Sequence, residues 1–306
     1  MKAIIDSERL RVVVDHPGQD GPLVVFSNGM GAILDYWDTV VDALPDLTCV
    51  RFDRPGLGGS AVSDRSSRDI RTEVARIIAV ADWVDPARSV VLVGHSYGGV
   101  LVEATARLHP DRVQALVTVD GTDPNEYADP TRRTRPAYAR LITLVNSSGP
   151  IAAVTGTVLE RVITYLSTVR ANGPRLTPAQ IALVATPMHV ATIFHEDARL
   201  PGHCAEAIEL ETDRPMPNIP VHVLIGGQTG GLIVRRQQAW IERAERHGRM
   251  LGRRTHIEVF RSAHLMMLDV PSEVAAAIGS AVNGWPPAST ATIDATAATG
   301  GTPECR

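Results

Sequence analysis

The ten residues Val90-Val91-Leu92-Val93-Gly94-His95-Ser96-Tyr97-Gly98-Gly99 constrain this chain more than any other stretch. Four consecutive apolar residues, three of them β-branched, suit a strand covered on both faces, and Val100, Leu101, Ala104 and Leu108 then recur at helical spacing. Ser96 therefore stands in a tight turn between a buried strand and a helix. A serine there needs a strained backbone, tolerable only where the residues two before and two after it lack side chains, as Gly94 and Gly98 do. The turn lifts the hydroxyl clear of the sheet. The helix that follows aims its amide donors and positive dipole end at the same place, so negative charge forming beside Ser96 would be stabilised. Such a position suits a nucleophile.

Around this turn the chain alternates strands and helices. Residues 2–14 predict an edge hairpin, and Leu23–Phe26, Cys49–Phe52, Ala115–Asp120, Pro220–Gly226 and Thr255–Phe260 predict further strands. Ile70, Val74, Ile77, Ile78, Ala81 and Trp83 fall at helical spacing, so residues 69–83 predict an amphipathic helix packed on the sheet. This rhythm implies a mostly parallel, doubly wound α/β sheet. It breaks from 125 to 218, where helical patterns stand without strands: Leu141, Leu144 and Val145, then Val154, Val158, Val162 and Leu166, then Thr177-Pro178 as N-cap and first helical residue. The expected organisation is a core over 1–124, a helical cap insert over 125–218 and the rest of the core over 219–285. Residues 286–306 are Ala, Thr, Gly and Pro with almost no large apolar side chain, and read as a disordered tail.

Composition narrows the partners. The 306 residues carry a formal net charge of -4, with 44% hydrophobic and 21% charged residues, which speaks against nucleic acid or an anionic membrane as partner. A small-molecule ligand is expected. Three widely spaced cysteines, Cys49, Cys204 and Cys305, and a start without a long apolar stretch fit a reducing cytoplasm. No run of about 18 apolar residues without charge occurs, so no membrane span is expected.

Two loops deserve weighing before the turn at Ser96 is given a role. Ser27-Asn28-Gly29-Met30-Gly31 closes a strand with exposed amides and is either an anion binder or a plain strand-to-helix connection. Asp53-Arg54-Pro55-Gly56-Leu57-Gly58-Gly59-Ser60 is an ordered loop without the Lys and Ser/Thr spacing of a phosphate loop. His264 follows the last strand, where catalytic groups gather in sheets of this kind, and is preferred as general base over His256, which lies on the strand itself. His95 is expected to pack or bond locally. His189, His195 and His203 do not share one helix face, so no metal site is expected, and no cofactor is implied.

Taken in order, these features resemble the α/β-hydrolase superfamily from about residue 10 to 285. The features are the Asn28-Gly29-Met30-Gly31 loop, the Asp53-to-Ser60 loop, the Gly94-His95-Ser96-Tyr97-Gly98 elbow, a helical insert and His264 after the last strand. The resemblance implies an α/β-hydrolase fold: a mostly parallel sheet of about eight strands, helices on both faces and an inserted helical cap. It also implies Ser96 as nucleophile, His264 as base and the amides of Met30 and Tyr97 as oxyanion hole. Most relatives carry His-Gly where this chain has Asn28-Gly29. Many place the acid after the penultimate strand, but Gly226-Gly227-Gln228-Thr229-Gly230-Gly231 holds no carboxylate, and Thr229 stands about where the acid would be. Other relatives place it at the end of the strand after the nucleophile helix, the place of Asp120. Asp120 is therefore preferred to Asp123, which precedes Pro124 and suits a turn. A Ser96-His264 dyad is the alternative.

The implied activity is hydrolysis of an ester, thioester or lactone through an acyl-enzyme on Ser96. The Val-, Ile- and Leu-rich insert with Met188 points to a mostly apolar substrate of modest size. Arg132, Arg133 and Arg135 suit either a carboxylate-binding patch or a solvated surface. A serine excludes the chemistry of relatives with an aspartate nucleophile, such as epoxide hydrolases and dehalogenases. Hydrolysis of a C–C bond, cofactor-free perhydrolysis and hydroxynitrile lysis can use the same residues, and a ligand receptor or biosynthetic cyclase can use the pocket alone.

Overall fold

Runs of valine, isoleucine and leucine become strands wherever both faces are covered. In the computed structural model, which describes residues 2–62, 69–128, 148–169, 176–228 and 234–284, they form one eight-stranded sheet. The strands are β1 (Lys2–Ile5), β2 (Glu8–Asp15), β3 (Leu23–Ser27), β4 (Cys49–Phe52), β5 (Val90–His95), β6 (Val113–Val119), β7 (Val221–Gly226) and β8 (Thr255–Phe260). Their order is β1-β2-β4-β3-β5-β6-β7-β8. β1 and β2 pair antiparallel, as the edge hairpin predicts, and β2 pairs antiparallel with β4. Every later pairing is parallel. β5 lies in the middle with all six residues buried, and β6, β7 and β8 follow it side by side. Their carboxyl ends therefore come together, although Ser96, Asp120 and His264 are far apart in sequence.

Helices cover both faces. On one, α2 (Ile70–Val84) and α3 (Tyr97–Leu108) bury Ile70, Val74, Ile77, Val100 and Leu101 against the sheet. On the other, α1 (Asp38–Asp42) and the last helix bury Val40, Val41, Val274, Ile278 and Ala281 with Trp37 and Phe26. Asp69 caps α2 by accepting from the Thr72 amide at 2.8 Å. Trp83 departs from the expected apolar face, being 39% exposed near the C-terminal end of α2, while Glu73 and Arg76 are buried in its place beside Glu8.

Between β6 and β7 the described residues hold helices and no strand: α4 (Pro124–Tyr127), α5 (Gly149–Ser167), α6 (Pro178–Val184) and the long α7 (Pro187–Asp213). Thr177 caps α6 in the expected way, in a capping box with Gln180 and with Pro178 in the first turn. Val154, Val158, Val162 and Leu166 do lie on one helix, but on its outward side, each at least 46% exposed. After β7 come α8 (Val234–Met250), then β8, the short α9 (Met266–Asp269) and α10 (Pro271–Val282). The sequence did not predict α9. Leu141, Leu144, Val145, Arg132, Arg133, Arg135, Thr229 and the segment 286–306 lie outside the described residues. Among the described residues no helix is long and apolar enough to cross a membrane. Cys49 and Cys204 are free and buried.

Candidate active site

The turn after β5 has the strain its sequence implies. Ser96 has φ 50° and ψ -122° and stands as N-cap of α3. A β-carbon on Gly94 would lie 2.4 Å from Val102 and 2.5 Å from the Gly98 carbonyl oxygen, and one on Gly98 would lie 2.2 Å from the Ser27 carbonyl oxygen. Only glycine fits at either place. The Ser96 amide donates to the Val119 carbonyl at 3.2 Å, and the Ser96 carbonyl accepts from Gly99 and Thr122, so the strained residue is tied to β6 as well as to its own helix.

Asp120 follows β6 directly and is the second non-glycine residue of the site with positive φ, at 45°. Its amide donates to the Leu224 carbonyl at 2.7 Å. One carboxylate oxygen, Oδ1, accepts from the Gly226 amide at 3.0 Å and the Trp240 indole at 3.1 Å. The other, Oδ2, lies 2.6 Å from His264 Nδ1. Asp120 is thus buried with both oxygens engaged, while the His264 side chain is 39% exposed. A carboxylate on Nδ1 holds the neutral imidazole with its proton there and frees Nε2 to accept one. Asp123, the other sequence candidate, caps α4 by accepting from the Asn125 amide at 2.9 Å, the turn role its Pro124 neighbour suggests. His256 lies in β8, 2.9 Å from Glu258. His95 is buried with Nε2 at 2.9 Å from the His264 carbonyl; burial and then His264 push its imidazole well down, leaving it neutral.

Ser96 and His264 line one cavity of about 240 Å³ together with Gly29, Met30 and Gly31. That loop is held by an ion pair the sequence did not reveal. Arg54, at the head of the Asp53-to-Ser60 loop, donates to the Asn28 carbonyl at 2.6 Å and the Gly29 carbonyl at 2.8 Å. Its other donors meet Glu196 of α7, at 2.7 and 2.9 Å. Glu196 in turn accepts from the Gly31 amide at 2.9 Å. Burial disfavours the guanidinium charge, but Glu196 more than restores it, so Arg54 stays cationic. Asn28, the departure from the usual histidine, turns into the core: its side chain accepts from the Trp37 indole at 2.8 Å and donates to the Phe52 carbonyl at 3.1 Å. The loop backbone therefore keeps its shape without that histidine.

Tyr97 is pinned from the insert too. Its hydroxyl lies 2.6 Å from His203 Nδ1, and Arg54 stacks over its ring at 5.1 Å. His189 receives the Gly58 amide on Nδ1 at 3.0 Å, and burial pushes its imidazole down to about 4. Two of the three insert histidines thus serve as separate braces. Among the described residues, the potential metal-binding group is Glu103, Glu211 and His247, none of which lines the cavity. The Asp53-to-Ser60 loop is likewise internal scaffolding: Asp53 is fully buried and accepts from the Leu34 amide at 2.7 Å, and Ser60 donates to its carbonyl at 2.6 Å.

The profile of the alpha/beta hydrolase family matches residues 24–277, a span that runs from β3 to α10 and contains Ser96, Asp120 and His264. This chain belongs to the alpha/beta hydrolase family. It is 35% identical over 118 residues to a poly(3-hydroxyalkanoate) depolymerase of Ectopseudomonas oleovorans, covering 37% of this chain and 40% of that protein. It is 30% identical over 120 residues to epoxide hydrolase A of Mycobacterium tuberculosis, covering 38% and 37%. The chain thus matches well under two thirds of either relative. Among solved structures, a Vigna radiata epoxide hydrolase variant superposes with a TM-score of 0.65 at 17% identity, over 92% of this chain and 98% of that one. That likeness concerns the fold.

Within this alpha/beta hydrolase, the sequence named Ser96, His264 and Asp120 and missed Arg54, Glu196 and Trp240 as their supports. Arg54 stood in a quoted loop, but its partner lies 142 residues on in the insert, and no local spacing signals such a pair. Trp240 is 120 residues from Asp120 on an amphipathic helix, where an aromatic side chain passes for ordinary packing.

Proposed function

We propose that this alpha/beta hydrolase cleaves an ester, thioester or lactone of a mostly apolar small molecule through an acyl-enzyme. The observation that carries the reading is the 2.6 Å contact of His264 with Asp120 on the wall of the cavity that also holds Ser96 at φ 50°. Ser96 Oγ attacks the acyl carbonyl while His264 Nε2 takes its proton. Asp120 orients the imidazole and stabilises the imidazolium. The amides of Met30 and Tyr97 receive the oxyanion, and each such donor fixed in advance is worth about 3 to 4 kcal/mol to the transition state. His264 then protonates the leaving alcohol or thiol, and water repeats the sequence to release the acid. The helices between β6 and β7 act as the cap: α5, α6 and α7 supply Leu159, Ile163, Val184 and Ile193 to an apolar wall. The depolymerase named above, which by its name acts on a poly(3-hydroxyalkanoate), agrees with ester chemistry. The epoxide hydrolases share the fold, but a serine in place of an aspartate nucleophile points away from their reaction.

The test is labelling with a fluorophosphonate, read by intact mass and peptide mapping, alongside turnover of p-nitrophenyl esters. A single adduct on Ser96, with turnover falling about a million-fold in Ser96→Ala, is expected for a nucleophile of this kind. A folded protein that takes no adduct and hydrolyses no ester would overturn the reading in favour of a receptor or cyclase.

A further inference from the structure

Among the described residues lining the cavity over Ser96 is one carboxylate that the reaction does not use, Glu160. Gly156, Leu159, Glu160 and Ile163 all line it from α5, at the i, i+3, i+4, i+7 spacing that puts them on one helix face. Three of the four are apolar or bare, and the fourth is a carboxylate. The other polar groups of the lining are neutral or engaged. His95 is held by the His264 carbonyl and His189 by the Gly58 amide, and burial keeps both uncharged. Tyr36 stays a neutral phenol, because burial and then the Glu160 charge push its ionisation up. Glu160 itself accepts from the Thr164 hydroxyl at 3.1 Å, within its own helix. Among the described residues no cation pairs with it.

Glu160 is half-buried on the cavity wall and has no counter-ion among the described residues, and a charge beside largely apolar walls acts on a bound group more strongly than it would in open solution. A bound group that supplies the missing positive charge is favoured, and a second carboxylate is repelled. Among the described lining residues the other titratable groups are His95, His189, His264 and the Tyr36 phenol, which leaves Glu160 as the carboxylate there. We propose that Glu160 is a specificity-determining residue that recognises an ammonium group on the substrate's apolar arm, so that the site selects amine-bearing esters over isosteric neutral or carboxylate-bearing ones. This rests on the hydrolase reading of Ser96, and it assigns the substrate class of the same cavity. The ammonium sits on either the acyl or the alcohol arm, and two substrate sets tell these apart.

The first set shares a p-nitrophenol leaving group and varies the acyl terminus as alkyl, amine or carboxylate; the second fixes the acyl group and varies the alcohol in the same way. In the wild-type protein the amine member of one set is expected to exceed its neutral isostere by about tenfold or more in kcat/KM, as a charge-assisted hydrogen bond allows. Glu160→Gln should abolish that preference, read as the amine-to-neutral ratio of kcat/KM within the variant, and Glu160→Lys should shift it to the carboxylate member. An amine-to-neutral ratio that is the same in wild type and Glu160→Gln, in both sets, would overturn the proposal. Fluorophosphonate labelling of Ser96 in each variant keeps the two readings apart. If wild type is neither labelled nor active, matched alkyl ammonium, alcohol and carboxylate ligands are titrated instead. Tighter binding of the ammonium that disappears in Glu160→Gln supports the site, and equal binding of all three overturns it.

Discussion

Two helices meet the same cavity and are built in opposite ways. Helix α3 starts at Ser96 and buries every residue from Tyr97 to Arg107. Helix α5 brings Gly156, Leu159, Glu160 and Ile163 to the cavity, yet of its nineteen residues only Ala152 and Gly156 are buried. The first belongs to a sheet whose packing over-determines each position, and so it can hold backbone strain at Ser96 and Asp120. The second has few neighbours, and its side chains can change with little cost to the fold. On the proposed reading, reaction geometry is set by the sheet side and substrate choice by the insert side. Arg54 and Glu196 join the two, because a side chain of the insert fixes an amide of the loop that faces Ser96.

The largest effect expected on this contrast is at Asp120. Asp120→Asn keeps the shape but leaves His264 Nδ1 facing an amide, and ester turnover should fall on the order of ten-thousand-fold with an unchanged circular dichroism spectrum. Turnover equal to wild type would show that Ser96 and His264 work as a dyad. Next comes Gly98→Ala, whose new β-carbon would meet a backbone oxygen at 2.2 Å that cannot move aside. A loss of about 3 kcal/mol or more is expected in urea unfolding.

The junction between the two regions gives a pH signature. His247 of α8 lies 3.0 Å from Glu103 of α3, near Asp123 and Glu211, which itself pairs with Arg107. Burial alone would lower the imidazole, but Glu103 with Asp123 and Glu211 raises it from 6.5 to about 9. A folded pKa above the unfolded one adds stability that is complete below the unfolded value and is lost as pH rises through the folded value. Stability should thus fall between pH 6.5 and 9 by an amount on the order of 3 kcal/mol. Urea midpoints at the two ends measure it, and His247→Gln should flatten the slope; the same slope in the variant would assign it elsewhere. The smallest effect is in the insert: Gly202 of α7 has nothing within 4 Å of its would-be β-carbon, so Gly202→Ala should stabilise by up to about 1 kcal/mol. Destabilisation there would show the insert to be packed as tightly as the core.

Much of this was legible in the chain because it is local. Gly94 and Gly98 around Ser96, Asp120 at a strand end and Thr177-Pro178 at a helix start each act within a few residues, where sterics and capping decide the outcome. Trp83 misled because periodicity marks a face without saying how far a packed neighbour extends, whereas Val154, Val158, Val162 and Leu166 do form the expected helix, with those side chains turned outward. Glu160 carried no signal at all, since a lone glutamate on a helix is ordinarily solvated.

By itself, the sequence determined a mostly parallel α/β sheet, the elbow at Ser96 and the residue types able to serve as base and acid, because strand pattern, glycine spacing and turn chemistry are properties of short segments. The tertiary structure alone decided that Glu196 closes on Arg54, that Gly226 and Trp240 engage the second oxygen of Asp120, and that Glu160 faces the cavity. Each of these depends on strand order and on how the insert lies over the sheet, which bring together residues more than a hundred positions apart.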